Sequence, residues 1–492
     1  MAIQQLSADD AQFLYLETGK NLGYITSICI YDPASAVGGE VSYDDFLRHL
    51  QGRLHFSKIF TRRLQRVPMD LDFPYWVTDK NFDFHAHVSY ARLPRGASWR
   101  KFCDMVGRYH SEPLDMERPP WGIKMIDGLG QLEGFPPGAY AIVTKVHHCA
   151  IDGASGVRFL LAISDADASG KPILRNLEPQ SSAETRVDLF TMVSNAYGNN
   201  LSSPWRMADT LLSAVPTIFP MVRRMMWSGQ PDENLNVPLT RFNQKTSPYK
   251  VFEQMTVAVA DLRRIKRCVD GATVNDVALA VCSGALRRYL LHHQELPSQP
   301  LVAWTPINAR PKRSRSGGDD DGGNHLAAMT VNLFTGERDP LRRLTAISAF
   351  THEAKQGKTG ASVRVVTSLT KQFPGFTLAL ASRLVARSKL ADKICNVFVS
   401  SVPGPTRPMY MNGAKCINVY GMAPLADGMG LFIATPTYNH KLSFSITSTN
   451  EILPDIQFFM ECMQQSFAEL LALVDIDEHD TEALRPQPAE LD

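Results

Sequence analysis

The chain has 492 residues, of which 44% are hydrophobic and 9% aromatic, a composition typical of a globular protein. This length exceeds one ordinary hydrophobic core, so we expect two domains of about 200 residues each. The 51 basic residues balance 50 acidic ones, and the resulting net charge of +1 argues against a nucleic-acid-binding protein. The eight cysteines form no CxxC pair, which predicts reduced residues of a cytosolic protein rather than a disulfide framework.

The N-terminal segment has no feature of a secretory signal. Asp9 and Asp10 stand where a signal peptide needs an apolar core. No uncharged apolar run in the chain reaches the length of about 18 residues that spans a bilayer. Any contact with a membrane is therefore expected to be peripheral.

Helices and strands alternate in the first hundred residues. Ser7 is placed to cap a short helix that carries Phe13, and Ser98 to cap a helix over 98–110. Between them, the hydrophobic spacing predicts a strand over 24–30 and an amphipathic helix over 43–54.

Two adjacent histidines follow a buried strand in the stretch 139–158, AYAIVTKVHHCAIDGASGVR. The apolar run through Val146 predicts the strand, and Gly153 allows a tight turn before apolar residues resume at helical spacing. His147 and His148 are therefore expected at a strand-to-helix junction, where sheets often present catalytic side chains.

This histidine pair has three interpretations. Adjacent side chains of a strand point in opposite directions, so one histidine can face the interior while the other reaches a ligand. A neutral imidazole is a suitable general base for an alcohol, and Asp152 could fold back to orient a histidine or a basic partner. The interpretation that both histidines are purely structural also remains open. A metal site is disfavoured, because diverging side chains and the lack of a second ligand group nearby do not fit metal-ligand spacing.

Two later segments combine apolar and basic residues. The helical pattern after residue 186 is broken by prolines, and neither 210–231 nor 363–391 contains an acidic residue. Helices packed between the domains are the simpler interpretation of both segments, and a surface that rests on lipid is the alternative.

The second half opens with a predicted strand over 249–259. A long buried helix follows, because apolar residues recur at spacings of three and four from Ala278 to Leu290. Asn275 and Asp276 stand near its beginning, where their side chains could cap the helix.

The seven residues HHCAIDG, 147–153, resemble the HHxxxDG motif of the CoA-dependent acyltransferase superfamily. Further segments in the same order resemble the bacterial wax ester synthase/diacylglycerol acyltransferases, although Asn81, Pro120 and Ser401 depart from that family's pattern. The matching segments are an L-S-x-x-D-x-x-F run at 6–13, the frame P-L-D and P-x-W within 113–121, N-D-V at 275–277, P-x-N-x-R-P at 306–311 and D-G-x-G-L-x-I at 427–433.

This resemblance implies an α/β fold of two chloramphenicol-acetyltransferase-like domains with the active-site channel between them. Together with the composition breaks, it places an N-terminal domain at 1–185, a helical crossover linker at 186–240, a C-terminal domain at 241–480 and a polar tail at 481–492.

The resemblance also implies an acyl-CoA-dependent O-acyltransferase. His148 is expected to accept the proton of the attacking hydroxyl, Asn275 is a candidate donor to the oxyanion, and Arg310 is expected to pair with Asp152 across the domains. The residues that the motifs assign to the site are His147, His148, Asp152, Gly153, Asn275, Asp276 and Arg310.

The expected partners are acyl-CoA, a long-chain alcohol or diacylglycerol, and a lipid surface. Acyl-CoA is a substrate and supplies the activated acyl group, so no cofactor is expected. The ligand spacing and the charge balance described above also lead us to expect neither a metal ion nor a nucleic acid. A cytoplasmic protein at the periphery of the inner membrane or of lipid droplets fits these substrates. Two alternatives remain: a superfamily acyltransferase that acts on a different alcohol, and a non-catalytic protein of lipid surfaces.

Overall fold

The computed structural model describes residues 4–151, 153–174, 187–188, 190–199, 237–308, 326–355 and 394–483. The helices are α1 (Ala8–Tyr15), α2 (Tyr43–Arg53), α3 (Trp99–Ser111), α4 (Gly153–Ala162), α5 (190–199), α6 (Val259–Ile265), α7 (Val274–His292), α8 (Pro340–Lys355) and α9 (Ile456–Ala483). The strands are β1 (Gln4–Gln5), β2 (Tyr24–Asp32), β3 (Arg62–Gln65), β4 (Tyr75–Thr78), β5 (Val88–Arg92), β6 (Trp121–Asp127), β7 (Tyr140–His147), β8 (Lys250–Ala258), β9 (Val302–Asn308), β10 (Leu326–Asn332), β11 (Val397–Val402), β12 (Tyr410–Met411), β13 (Ala414–Met422), β14 (Phe432–Tyr438) and β15 (Lys441–Thr449). The α/β class expected from the sequence is confirmed.

The first large sheet carries the histidine motif on a central strand. Its order is β12-β13-β2-β7-β6-β5, and its pairs are antiparallel except for β5 with β6. Every residue of β7 is buried, as the apolar run in the sequence predicts. The strand ends at His147, so both flanking strands hold the backbone that leads into the motif.

Two strands of this sheet come from the far end of the chain. β13 pairs with β2 from Lys415 opposite Asp32 to Met422 opposite Thr26, with one irregularity between Cys416 and Asn418. Residues 410–422 lie within the predicted C-terminal domain of 241–480. They nevertheless form part of a sheet whose other strands come from the predicted N-terminal domain of 1–185. Local hydrophobic periodicity does not reveal which distant strands pair.

The second large sheet is formed by the second half of the chain alone. Its order is β10-β9-β11-β14-β15-β8, with β11 parallel to both of its neighbours. The remaining sheet is small, with the order β1-β4-β3. The helix α7 packs against α8 and α9, and its predicted apolar stripe, including Ala278, Val281 and Cys282, is fully buried in the core of this half.

The two halves meet where α3 packs against β8. A Cβ atom added to Gly107 would lie 2.4 Å from the backbone oxygen of Lys250, so the close approach of helix and strand requires glycine at this position. The Arg100 guanidinium donates to the Phe252 carbonyl at 3.0 Å, and the Lys250 N–H donates to the Ser111 hydroxyl at 3.0 Å. These hydrogen bonds fix the relative position of the two large sheets.

The predicted helix caps are confirmed at two positions. Ser7 accepts a hydrogen bond from the Asp10 N–H at 3.1 Å at the beginning of α1, and Ser98 accepts one from Lys101 at 3.4 Å at the beginning of α3. Both caps satisfy a backbone donor that the first helical turn leaves without an intrahelical partner.

The helix α5 has one packed and one exposed apolar face. Met192 and Ala196 pack in a cluster with residues of the small sheet, whereas Phe190, Val193 and Tyr197 are 84%, 42% and 69% exposed. Residues 200–236 of the predicted crossover and the second acid-free segment, 363–391, lie outside the described residues. None of the described helices combines the length and apolar character that a membrane span requires.

Candidate active site

His147 is held inside the protein by two hydrogen bonds. Its side chain is fully buried, Nδ1 accepts from the Cys149 N–H at 3.0 Å, and Nε2 lies 3.1 Å from the Glu17 carboxylate. Because Nδ1 is an acceptor, the proton of the neutral ring is on Nε2, which donates to Glu17. Both nitrogens of His147 are therefore engaged by the protein.

His148 has a different environment, as the strand geometry predicts. It begins a short 3₁₀ turn, His148–Ala150, and its side chain is partly exposed. Its backbone N–H donates to the Gly23 carbonyl at 2.7 Å, and its ring stacks on Phe13 with the centroids 3.7 Å apart and the planes 11° apart. The backbone and one face of the ring are fixed, so His148 is the member of the pair that can serve a substrate.

The Cys149 side chain is enclosed in the protein. Its side chain is buried among residues of α1 and β3, including Ala11, Leu14 and Leu64. Burial in these apolar surroundings raises the pKa of the Cys149 thiol well above its usual value. The thiolate is therefore strongly disfavoured near neutral pH, which excludes Cys149 as a practical nucleophile.

The expected site also includes Asp152 and Gly153, which follow the histidines, and Arg310, the predicted partner of Asp152. Gly153 is the first residue of α4, so the predicted turn into a helix is confirmed. Asp152 and Arg310 lie outside the described residues, and their pairing stays a prediction.

Asp276 has a structural role at the beginning of α7. Thr273 is the N-cap residue, and Asp276 completes a capping box by accepting from the Thr273 N–H at 2.8 Å and from its hydroxyl at 2.7 Å. The other carboxylate oxygen accepts from the Thr351 hydroxyl at 2.7 Å, and the side chain is 1% exposed. Capping, one of the two predicted interpretations, is therefore observed for Asp276.

Asn275 does not cap the helix. Its Oδ1 accepts a hydrogen bond from the Ser401 hydroxyl at 2.5 Å, which ties α7 to β11. Within the part of the chain that the structure describes, its side-chain nitrogen makes no hydrogen bond, so this N–H group can still donate to a ligand. Its proposed role as an oxyanion donor remains a prediction.

Sequence reasoning missed the contribution of the loop between α1 and β2. Glu17 accepts a hydrogen bond from the Gly23 N–H at 2.7 Å in addition to its contact with His147. A Cβ atom on Gly23 would lie 3.3 Å from the His147 ring and 3.2 Å from the Phe13 carbonyl oxygen. Phe13 belongs to a segment matched by resemblance, but no local pattern connects Glu17 with a histidine 130 positions later.

The same loop contacts the second half of the chain. The Asn21 amide donates to the Asp427 carboxylate at 3.2 Å, and its Oδ1 accepts from the Thr246 hydroxyl at 2.5 Å and from the Lys250 ammonium at 3.1 Å. Asp427 also accepts from the Thr246 N–H at 3.0 Å. The loop beside the histidines is thus fixed to both halves of the molecule.

The described residues contain no group of three or more His, Cys, Asp or Glu side chains arranged to hold a metal ion.

Comparison with known proteins identifies the chain's relatives. A protein of Mycobacterium tuberculosis, provisionally named a diacylglycerol O-acyltransferase, is 28% identical over 96% of this chain and 91% of its own length. The O-acyltransferase WSD of Acinetobacter baylyi is 28% identical over 86% of this chain and 88% of its own length.

Solved structures share the fold. The wax ester synthase/diacylglycerol acyltransferase from Marinobacter aquaeolei matches with a TM-score of 0.65 and 25% identity, and the match covers 96% of this chain and all of that one. The first condensation domain of the CDA synthetase matches with a TM-score of 0.53 at 13% identity and covers 96% of each chain, which supports the expected acyltransferase-like fold.

The family models cover most of the chain. The model of the wax ester synthase/diacylglycerol acyltransferase catalytic domain matches residues 6–278, and that of the C-terminal domain of the same enzymes matches residues 322–471. This extent agrees with the motifs found between residues 6 and 433. The chain belongs to the wax ester synthase/diacylglycerol acyltransferase family.

Proposed function

We propose that this protein transfers a fatty acyl group from acyl-CoA to the hydroxyl of a long-chain alcohol or of a diacylglycerol, forming a wax ester or a triacylglycerol. Membership of the family supports the reaction class. The observation that carries the assignment of roles is the contrast between His147, whose ring nitrogens are both engaged by the protein, and the partly exposed His148.

His148 is the general base of the proposed reaction. It takes the proton of the alcohol hydroxyl as that oxygen attacks the carbonyl carbon of the thioester. When the tetrahedral intermediate collapses, the carbon–sulfur bond breaks, and the proton passes from His148 to the CoA thiolate. Base catalysis of this kind contributes about 10²- to 10⁴-fold, and holding both substrates in one channel supplies much of the remainder.

Asn275 is the proposed donor to the oxyanion of the intermediate. The Ser401 hydroxyl fixes the side-chain oxygen of Asn275, so the amide nitrogen has a defined direction. A donor that is oriented before the reaction stabilises developing negative charge without reorganisation. Asp152 and Arg310 are proposed to support the motif as an ion pair between the two halves. The reaction requires no cofactor, because acyl-CoA supplies the activated acyl group.

The proposed reaction can be tested by measuring thiol release from palmitoyl-CoA with hexadecanol or a diacylglycerol as acceptor. We expect His148→Ala to lower kcat by about 10²-fold or more, because the base is lost. His55→Ala is the matched control, since His55 is exposed in the same half and should keep wild-type turnover. Normal turnover by a folded His148→Ala protein contradicts the assignment.

The same assay separates the remaining functional alternatives. Thiol release with a short or polyketide-derived alcohol, but with neither fatty acceptor, would assign the protein to a different acyltransferase activity. Binding to lipid without thiol release from any acceptor would indicate a non-catalytic lipid-surface protein.

We place the protein at the periphery of a lipid surface, on the cytoplasmic side of the inner membrane or on lipid droplets. The substrates favour this location, because an acyl chain gains about 0.8 kcal/mol for each CH₂ group that leaves water. The exposed side chains of Phe190, Val193 and Tyr197 on α5 are our candidate contact. Aromatic and aliphatic residues on one face of a helix are suited to the boundary between head groups and acyl chains.

Flotation with phospholipid vesicles tests this surface. We expect the triple variant F190S/V193S/Y197S to lose most vesicle binding while thiol release from a soluble short-chain acyl-CoA is retained. Leu239→Ser is the control, because Leu239 is 72% exposed but lies outside α5. Equal flotation of all three proteins would exclude α5 as the contact.

A further inference from the structure

Glu17 is linked by hydrogen bonds to both histidines of the motif, directly to His147 and through Gly23 to His148. Its Oε1 atom accepts hydrogen bonds from the Gly23 N–H at 2.7 Å and from His147 Nε2 at 3.1 Å. Gly23 in turn accepts, through its carbonyl oxygen, the backbone N–H of His148 at 2.7 Å. One carboxylate oxygen therefore acts on His147 directly and on His148 through the backbone of one residue, Gly23.

The hydrogen bond to Glu17 determines the tautomer of His147. With the proton on Nε2, the Nδ1 atom is free to accept from the Cys149 N–H, and that contact forms the beginning of the 3₁₀ turn His148–Ala150. If the proton moved to Nδ1, two donors would face each other at 3.0 Å, and the turn would lose this contact. The backbone that carries His148 thus depends on the acceptor supplied by Glu17.

The surroundings leave little freedom to replace this acceptor. The Glu17 side chain is 18% exposed, and His147 is fully buried. The Gly23 backbone approaches the His147 ring closely enough that a Cβ atom would lie 3.3 Å from it. A buried ring donor that lost its acceptor would be left unsatisfied, because the packed loop excludes a simple rearrangement.

We propose that Glu17 is a positioning residue of the acyltransferase site, which holds His147 in the Nε2–H tautomer and the backbone of His148 in its catalytic position. This inference rests on the proposed function only where it concerns catalysis. Glu17 contacts neither substrate nor reacting atoms in this scheme, and its effect depends on the position of its oxygen more than on its charge.

Two conservative variants separate position from charge. Glu17→Gln keeps the side-chain length and one oxygen that can accept both hydrogen bonds, whereas Glu17→Asp keeps the charge but withdraws the acceptor by one methylene. We expect E17Q to retain kcat within about fivefold and E17D to lose about 10- to 100-fold, with the KM for acyl-CoA changed less than about twofold in both, since small displacements of a catalytic group act mainly on kcat. Glu40→Gln and Glu40→Asp are the controls, because Glu40 is an exposed carboxylate of the same half.

A readout independent of activity is the ¹⁵N spectrum of histidine-labelled protein. We expect His147 to be a single neutral Nε2–H tautomer in the wild type and in E17Q, and a mixture of tautomers in E17D. An Nδ1–H tautomer in the wild type, wild-type kcat in E17D, or a higher kcat in E17D than in E17Q would each overturn the proposal. If the wild type releases no thiol from any acceptor, the proposed function fails, whereas the ¹⁵N spectra still decide whether Glu17 holds His147.

Discussion

Two adjacent histidines in this chain have different chemical environments because they stand at the end of a buried strand. His147 is enclosed and bonded at both nitrogens, and His148 is stacked on Phe13 and partly exposed. Strand geometry alone predicts that the side chains diverge. It does not predict which of them is buried, since that depends on Glu17 and Gly23, whose positions beside the motif follow from the pairing of β2 with β7.

Gly23 provides a test at the scale of a single residue. Gly23→Ala places a methyl group 3.3 Å from the His147 ring and 3.2 Å from the Phe13 carbonyl oxygen. Overpacking of this kind costs about 1–3 kcal/mol, and we expect that loss in urea unfolding together with a reduced kcat. Gly19→Ala is the control, because nothing lies within 4 Å of its Cβ position. Equal stability of the two variants would show that the loop yields to the methyl group.

The buried side chain of His110 should make the free energy of unfolding depend on pH. Burial, reinforced by the positive charges of Lys145 and Lys250, lowers the pKa of His110 to about 3. Above pH 6.5 the ring is neutral in both the folded and unfolded states. As the pH falls from about 6.5 towards 3, the unfolded state binds a proton that the folded state does not, so stability decreases by up to about 1.4 kcal/mol per pH unit.

The comparison of wild type with His110→Gln isolates this contribution. The stability advantage of the wild type over the variant, measured by urea unfolding at pH 7, 6 and 5, is expected to shrink as the pH falls. His55→Gln is the control, because His55 is an exposed histidine of the same half. A difference between wild type and His110→Gln that is constant over this range would contradict the lowered pKa.

At the scale of elements, two adjacent residues at the beginning of α7 have different roles: Asp276 is structural, and Asn275 is a candidate functional residue. Asp276 accepts hydrogen bonds from Thr273 and Thr351 and is buried, whereas Asn275 is tied only to Ser401 within the described residues. The sequence showed that both side chains could cap. It could not show that Thr273 is the cap, because that depends on where the backbone turns into the helix.

Alanine variants of these two neighbours should affect different properties, stability for Asp276 and turnover for Asn275. Asp276→Ala leaves buried donors of Thr273 and Thr351 without an acceptor, and we expect a loss of about 2–4 kcal/mol in the free energy of unfolding. Asn275→Ala should cost less than about 1 kcal/mol but lower kcat by about 10²-fold, the effect of removing one oxyanion donor. Urea unfolding and thiol release measure the two effects, and a stable Asp276→Ala protein would argue against the capping role.

At the scale of the whole molecule, a polar contact joins the loop beside the histidines to the second half. Asp427 accepts from Asn21 and Thr246, and the neighbouring Lys250 ammonium donates to Asn21. Burial lowers the pKa of Lys250 to about 8, and the negative charge of Asp427 opposes that decrease. Through this network, Asp427 of the D-G-x-G motif near the end of the chain contacts the loop that lies beside the histidine motif.

Removal of Asp427 should therefore affect both stability and the lysine. Asp427→Ala leaves the Asn21 and Thr246 donors without this acceptor, with an expected loss of about 1–3 kcal/mol in the free energy of unfolding. The pKa of Lys250 should fall further, which the ¹³Cε shift of that lysine reports. Asp270→Ala is the control, since Asp270 is exposed. An unchanged Lys250 pKa in Asp427→Ala would show that the two charges do not interact.

The fold class, most helices and the strand before the histidines were predictable, because local periodicity and caps determine them. The Ser7 and Ser98 caps and the buried strand β7 are examples. The contact of Glu17 with His147, and the position of β13 beside β2, were not predictable, since both join residues far apart in the sequence. The pairing of Asp152 with Arg310 stays a prediction.

The hairpin of β12 and β13 has a consequence for biosynthesis. On the ribosome, β2 and β7 emerge long before residues 410–422, so the edge of β2 that later receives β13 remains open for most of translation. An unpaired edge of this kind is a template for aggregation between nascent chains. Expression of the first half alone would leave that edge permanently open, and its yield should depend on chaperones that bind exposed strands.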